Sequence, residues 1–455
     1  MESENEIEQV EAPKETQDPA PESVGEWARV LVTFWGVVVF LPGLPLVPGF
    51  CCLLVSILDS DNLGTRVASL GVAALMVVGL VCGGTMLTQG RRALRGRATK
   101  RLRLPQLWTV LGAFLLALVI GLGFWAVEGA ALLFGPWFVV VAAAMPPLAA
   151  VVWAAEGRPG WLTWRRASVA FCAGATVSAL LALVLEILAP YTIFWLLLDL
   201  GRPVTRAVEG LVDLLAGGQV ARALTSPGFL IALFELAVVA PLAEEFVKPL
   251  VVLPLLKGIQ SRRDVFLLGA VAGAGFAALE NVIYAAAGIR YWGGILLLRA
   301  FGAAVHPLGA GLTALAWHAV LRKRPQGFSE TLGVSHPAFW FCLAVGQHAL
   351  WNGGLVLWLA LADAAFFGPR PAETDVMGVS IAAGMLALIV LVGVAAWMAI
   401  RELSRRVAPA TETVEEKVPT GVELSTERAI ALWAVVCLLV LLPVGLAALR
   451  ALGGY

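Results

Sequence analysis

Three ionisable residues, Glu244, Glu245 and Lys248, fall in the segment PLAEEFVKPL (241–250), inside an apolar stretch running from about Phe229 to Leu256. At about 100° per residue they share one arc of a helix, whereas Glu235 points to the opposite side. Further along, GAVAGAGFAALENVIY (269–284) carries Glu280 and Asn281, RAFGAAVHPLGAGL (299–312) carries His306, and GQHALWNGG (346–354) carries His348 and Asn352 at i, i+4. Together Glu244, Glu245, Lys248, Glu280, Asn281, His306, His348 and Asn352 form a candidate catalytic set. Peptide hydrolysis needs a base to activate water, donors for the tetrahedral oxyanion and a proton for the leaving amine. These residues offer Glu244 as the base, with Glu245 and Lys248 orienting it or relaying protons, and His348 and Asn352 polarising the scissile carbonyl. They also admit a zinc site, formed by His306, His348 and either Glu280 or Glu244, with water in the open position. No HExxH accompanies them, so hydrolysis by glutamate without a metal stays open beside it.

The elements that must position this set are membrane helices. With 59% hydrophobic residues, 14% charged and a mean hydropathy of +0.85, the chain is far more apolar than a soluble domain. Its formal net charge is zero, so no global field points to nucleic acid as a partner. The six cysteines, Cys51, Cys52, Cys82, Cys172, Cys342 and Cys437, lie in apolar runs without CxxC spacing and read as packing residues. Residues 1–27 hold nine acidic side chains, one lysine and three prolines. That composition predicts a disordered cytoplasmic tail and is wrong for a signal peptide.

A span needs roughly 20 apolar residues, which predicts an all-α, polytopic bundle of about eleven spans near 28–57, 67–89, 107–127, 131–155, 168–197, 228–256, 265–288, 294–320, 338–362, 375–400 and 428–449. The first carries three prolines in LPGLPLVPG (41–49) and reads as one span or two half-helices. Basic segments at 91–103, 158–166, 257–263, 321–324 and 401–406 alternate with loops poorer in Lys and Arg. By the positive-inside rule they face the cytoplasm, as does the N-terminus. The chain then divides into the tail, leading helices over 28–225, a catalytic core over 226–356, and closing helices over 357–455 with a polar loop at 401–427.

A charged residue at the centre of a spanning helix costs about 2.5–3.5 kcal/mol on insertion scales unless it faces a partner or a wet cavity. Glu244, Glu280, His306 and His348 all fall near mid-span, about 8–15 residues from an edge at about 1.5 Å each. One shared polar site from four neighbouring helices explains that common depth. His318, at a span end, and His336, in a loop, sit where histidine is inexpensive and are read as outside the site. Glu186, within the fifth span, has no evident partner in the sequence.

The four motifs in order, EExxK (Glu244, Glu245, Lys248), FxxxEN (Phe276, Glu280, Asn281), a mid-span His306 and HxxxN (His348, Asn352), resemble those of the PrsW family of intramembrane proteases, relatives of the type II CAAX prenyl endopeptidases. The resemblance covers about 226–356. It implies a multi-pass protein of a bacterial cell membrane, surrounded by lipid. Its substrate would be a single-pass membrane protein, for some members an anti-sigma factor. It implies metalloprotease chemistry as the family is classed, although the CAAX relatives read as glutamate-driven hydrolases. Oligomeric state is not legible in the sequence. Two other classes compete. A proton-coupled transporter also keeps Glu, Lys and His at midplane, but its internal repeat is not visible. A non-catalytic membrane scaffold of the same fold would retain the helices without the reaction.

Overall fold

The computed structural model describes residues 25–44, 63–125, 130–155, 162–186, 227–256, 259, 261–288, 291–322, 337–366 and 376–407. The acidic tail up to residue 24, the stretch 45–57 of the first expected span, the long loop after the fifth, His336, and the last expected span at 428–449 lie outside them.

The described residues are helical, with no strand among them beyond one isolated bridge, Arg101 to Thr163. In chain order the helices are α1 (Glu26–Phe40), α2 (Leu63–Leu94), α3 (Leu107–Trp125), α4 (Ala130–Ala155) and α5 (Trp164–Glu186). They continue with α6 (Pro227–Phe234), α7 (Ala240–Val247), α8 (Arg262–Ala287), α9 (Trp292–Phe301), α10 (Val305–Arg322), α11 (Pro337–Phe366) and α12 (Val376–Arg406). Six stretches are long and apolar enough to cross a membrane alone: Val72–Leu94, Leu107–Phe124, Phe134–Ala155, Trp164–Glu186, Arg262–Ala287 and Ala383–Arg406. The α9–α10 pair, bent by 44°, makes a seventh. The chain is thus an integral, multi-pass membrane protein, although the expected eleven spans are not reached among the described residues.

Two spans expected to be continuous are interrupted, and proline accounts for both. The expected span at 228–256 is α6, a π turn at Glu235–Val239, α7, and then 3-10 turns at Lys248–Val251 and Leu253–Leu255. Pro241, Pro249 and Pro254 each lack an N–H and crowd the carbonyl four residues earlier, which favours a break at each, although α4 runs on through Pro136, Pro146 and Pro147. The expected span at 294–320 breaks between Phe301 and Val305. There Pro307 would crowd the Ala303 carbonyl of an unbroken helix, but is tolerated in the first turn of α10. The first expected span likewise passes from α1 into a 3-10 turn at Leu41–Gly43, around Pro42. At the other end of the chain, the basic residues 401–406, expected in a loop, form the last turns of α12.

Helix α8 is the axis of the bundle, buried without interruption from Arg263 to Ala278. Its small residues make that burial feasible in a lipid setting, where close backbone approach drives association. A side chain at Gly269 would meet Ala310 and Ala314 of α10, and one at Gly273 would meet the His306 carbonyl and Ala310, so α8 and α10 run antiparallel in backbone contact. On another side, Gly275 lies against the Phe171 carbonyl of α5, and Gly174 of α5 against Ala272.

The basic segments gather at one end. Leu102 N–H donates to Leu162 O at 2.8 Å, Trp164 N–H to Lys100 O at 2.9 Å, and Arg165 Nη2 to Arg97 O at 2.5 Å. Arg263 Nη2 donates to Ala155 O at 3.1 Å and its Nε to Ser404 Oγ at 3.4 Å, while Arg29 Nη1 reaches Ala93 O at 3.4 Å. The described parts of these segments, 91–103, 162–166, 261–263 and 401–406, therefore share a face with the start of α1. If that face is cytoplasmic, cysteines introduced at Arg97 and Arg405 in a cysteine-free background should resist an impermeant thiol reagent in intact cells. One at the exposed Tyr291, beyond the opposite end of α8, should react. The reverse labelling would invert the topology.

Candidate active site

Glu244 and Glu245 occupy the last turn of α7, and Lys248 opens the 3-10 turn that follows. All three are buried, Lys248 and Glu245 completely. The Lys248 ammonium lies 2.7 Å from Glu245 Oε1 and 2.9 Å from Glu244 Oε2. It also lies 2.8 Å from His306 Nδ1 and 4.4 Å from the centroid of the Phe276 ring. Phe276, quoted in the sequence only as the start of FxxxEN, thus covers the ammonium and stands 5.5 Å from the His306 ring.

The ring nitrogens sort themselves by chemistry. An ammonium has only hydrogens to give, so His306 Nδ1 accepts from Lys248 and the neutral ring carries its proton on Nε2. That Nε2 faces Glu280 Oε2 at 2.6 Å, although off the axis of an aligned hydrogen bond. His348 Nδ1 lies 3.1 Å from Glu245 Oε1, and a carboxylate accepts, so Nδ1 is the donor. His348 Nε2 then accepts from Asn352 Nδ2 at 3.1 Å, across the i, i+4 spacing of α11. Asn352 keeps a second N–H for another acceptor.

What remains faces inward. Glu244 Oε2 is 3.5 Å from His306 Nδ1 and 3.6 Å from His348 Nε2, and it has no aligned hydrogen bond, the Lys248 contact being off-axis. Glu244, His306 and His348 each offer one ligand atom, all within 4.8 Å of one another. Two imidazoles and a carboxylate suit zinc, and each histidine has a carboxylate on its far ring nitrogen, Glu280 behind His306 and Glu245 behind His348. This donor set fits a divalent cation. Lys248 now presents its own positive charge to two of the same atoms, and Asn352 donates to the third, His348 Nε2, so both would have to withdraw. Glu280, which the sequence put first as the carboxylate ligand, is not in this group: it sits on the opposite nitrogen of His306 and is bonded to Arg299 Nη2 at 2.7 Å.

Asn281 serves differently from its neighbour. Its Nδ2 donates to Ala143 O of α4 at 3.0 Å, and its Oδ1 accepts from Arg299 Nε. Both polar atoms are spent on support. The sequence pattern by itself assigns Arg299 no role. An arginine within an apolar span was the available signal, since such residues mark functional networks.

The profile of the PrsW family of intramembrane metalloproteases matches residues 162–395. The chain belongs to the PrsW family. The match extends beyond the four motifs to take in α5, the helix against which Gly275 packs, and most of α12. No curated protein and no solved structure matches the chain. The PrsW-family assignment makes an intramembrane protease of this membrane protein, and the buried Glu–His–His group is compatible with the metal that the family description names.

Glycines press on the site directly. A Cβ at Gly309 of α10 would come within 2.6–2.9 Å of the Glu245 carboxylate. Gly309→Ala should therefore displace Glu245 from Lys248 and His348 and lower turnover, with membrane insertion unchanged. Gly273→Leu should do so more severely, because it meets backbone rather than a side-chain tip. Wild-type turnover with both would show that this packing does not hold the site.

Proposed function

We propose that this protein hydrolyses a peptide bond of a single-pass membrane protein with water activated at Glu244. The observation that supports it most is the convergence of Glu244, His306 and His348, each histidine backed by its own carboxylate, within a PrsW-family chain. Glu244 accepts the water's proton: its Oε2 faces His306 and His348 with no aligned hydrogen bond, whereas the likewise unbonded Oε2 of Glu245 lies against Gly309. Lys248 and Glu245 hold that carboxylate in place and carry a proton toward the leaving amine. Asn352, with one N–H unspent, polarises the scissile carbonyl; His348, which the sequence put in the same role, gives its Nδ1–H to Glu245 and accepts from Asn352 at Nε2, so it orients that amide instead.

Glu244, His306 and His348 would hold a divalent ion, zinc by donor chemistry. When bound, the ion supplies Lewis-acid polarisation and lowers the pKa of its water. Metal analysis of purified protein tests that part: a stoichiometry near zero in a fully active preparation would leave hydrolysis to the glutamate alone.

Every side chain named here except Glu280 has at most 8% of its area exposed, so substrate and water reach it only when helices part. A bacterial anti-sigma factor, cut as the first step of regulated proteolysis, is the kind of single-pass substrate that this reading expects. Comparative membrane proteomics of cells carrying the wild type or Glu244→Ala tests the proposal. Fragments of a single-pass protein should be present only with the wild type, and identical fragment sets would overturn it.

A further inference from the structure

Arg299 lies in the last turn of α9, across a helix break from His306, and its guanidinium makes no contact with Glu244 in the network described above. We propose that it is a positioning residue: it fixes Glu280 so that this carboxylate holds His306 with Nδ1 turned toward Lys248 and Glu244. The kinetic part of this inference rests on the proteolytic reading.

Two groups meet on one atom. Arg299 Nη2 lies 2.7 Å from Glu280 Oε2, and His306 Nε2 lies 2.6 Å from the same oxygen. Arg299 and His306 are seven residues apart, which on an unbroken helix would separate them by about 10.5 Å along the axis. The 44° bend after Phe301 lets both side chains converge instead. That bend is itself pinned: Trp397 Nε1 donates to Phe301 O at 3.1 Å, and the Trp351 ring fills the space a side chain at Gly302 would need.

The guanidinium is held at three points. Its Nε donates to Asn281 Oδ1, its Nη2 to Glu280, and its plane lies 4.4 Å from the Tyr284 ring centroid. Asn281 is tied in turn to Ala143 of α4. The fork therefore locks Glu280 to α8, α9 and α4 together, a task for which a lysine's single point charge is a poor substitute. Groups behind a histidine fix its tautomer and orientation in this way, and losing one typically costs about 10–100-fold in activity.

The test combines kinetics with a direct view of the ring. The chain has four histidines, so histidine labelled with ¹⁵N gives few signals, and His306→Gln identifies the one required. Wild type should show His306 as the neutral tautomer with its proton on Nε2. Arg299→Gln should give a mixture of tautomers and a kcat lower by about 10–100-fold with KM nearly unchanged, and Arg299→Lys should fall between. Since Arg299 acts through Glu280, Glu280→Gln/Arg299→Gln should be no slower than Glu280→Gln alone. An unchanged tautomer in Arg299→Gln, or in Arg299→Lys if the glutamine variant does not fold, would overturn the proposal, as would additive losses in the double variant. A wild-type protein that cleaves nothing would sink the proteolytic reading alone, because the tautomer still decides the role of Arg299.

Discussion

Lys248→Met should be the most disruptive single change to the fold, lowering stability by about 3–5 kcal/mol, the usual cost of removing one partner from a buried ionic pair. The side chain is fully buried, and its ammonium is the shared partner of Glu244, Glu245 and His306. Methionine fills much the same volume, so the loss reports the charge and not a cavity. Lys248→Arg should be milder in charge but not neutral, because a larger fork must fit under Phe276 in a closed site, and overpacking costs about 1–3 kcal/mol. Thermal unfolding in detergent measures both. A Lys248→Met protein as stable as wild type would mean that the carboxylates do not depend on this ammonium.

Glu244→Gln should leave the fold nearly intact and lower turnover by about 10²–10⁴-fold, the typical worth of a general base. Glutamine keeps the shape but cannot take the proton. His348→Ala and Asn352→Ala should each reduce turnover, and the pair should lose less than the sum, because groups acting on one transition state are not additive. His318→Ala, twelve residues beyond His306 on α10, serves as the control and should stay near the wild-type rate. Severe loss there, with wild-type turnover in Glu244→Gln, would make the polar cluster structural.

The site was legible in the sequence to the degree that lipid penalises charge. Glu244, Lys248, Glu280, His306 and His348 stand out because an ionisable residue in an apolar span needs a reason, and the shared depth of Glu244, Glu280, His306 and His348 points to one place. Which nitrogen faces which carboxylate was not legible, since it depends on how α7, α8, α10 and α11 rotate against each other. That is why the sequence put Glu280 ahead of Glu244 as third ligand, whereas the structure sets Glu280 behind His306 and groups Glu244 with the two histidines. The helix breaks were written locally, in Pro249 and Pro307, yet apolar length alone read both stretches as unbroken. Arg299 escaped notice because its role exists only once the bend after Phe301 brings it to Glu280.

The most direct test of the central claim is to incubate a single-pass substrate, recovered by the proteomic comparison, with purified protein in lipid vesicles and to locate the cut by mass spectrometry. Glu244, His306 and His348 are buried among the helices, and the His306 carbonyl lies against Gly273, near the middle of α8. Wild type should therefore cut a bond within or immediately beside the substrate's membrane span, and Glu244→Gln at matched amount should leave the substrate whole. Cleavage that persists in Glu244→Gln, or a substrate that wild type never cuts, would contradict the account.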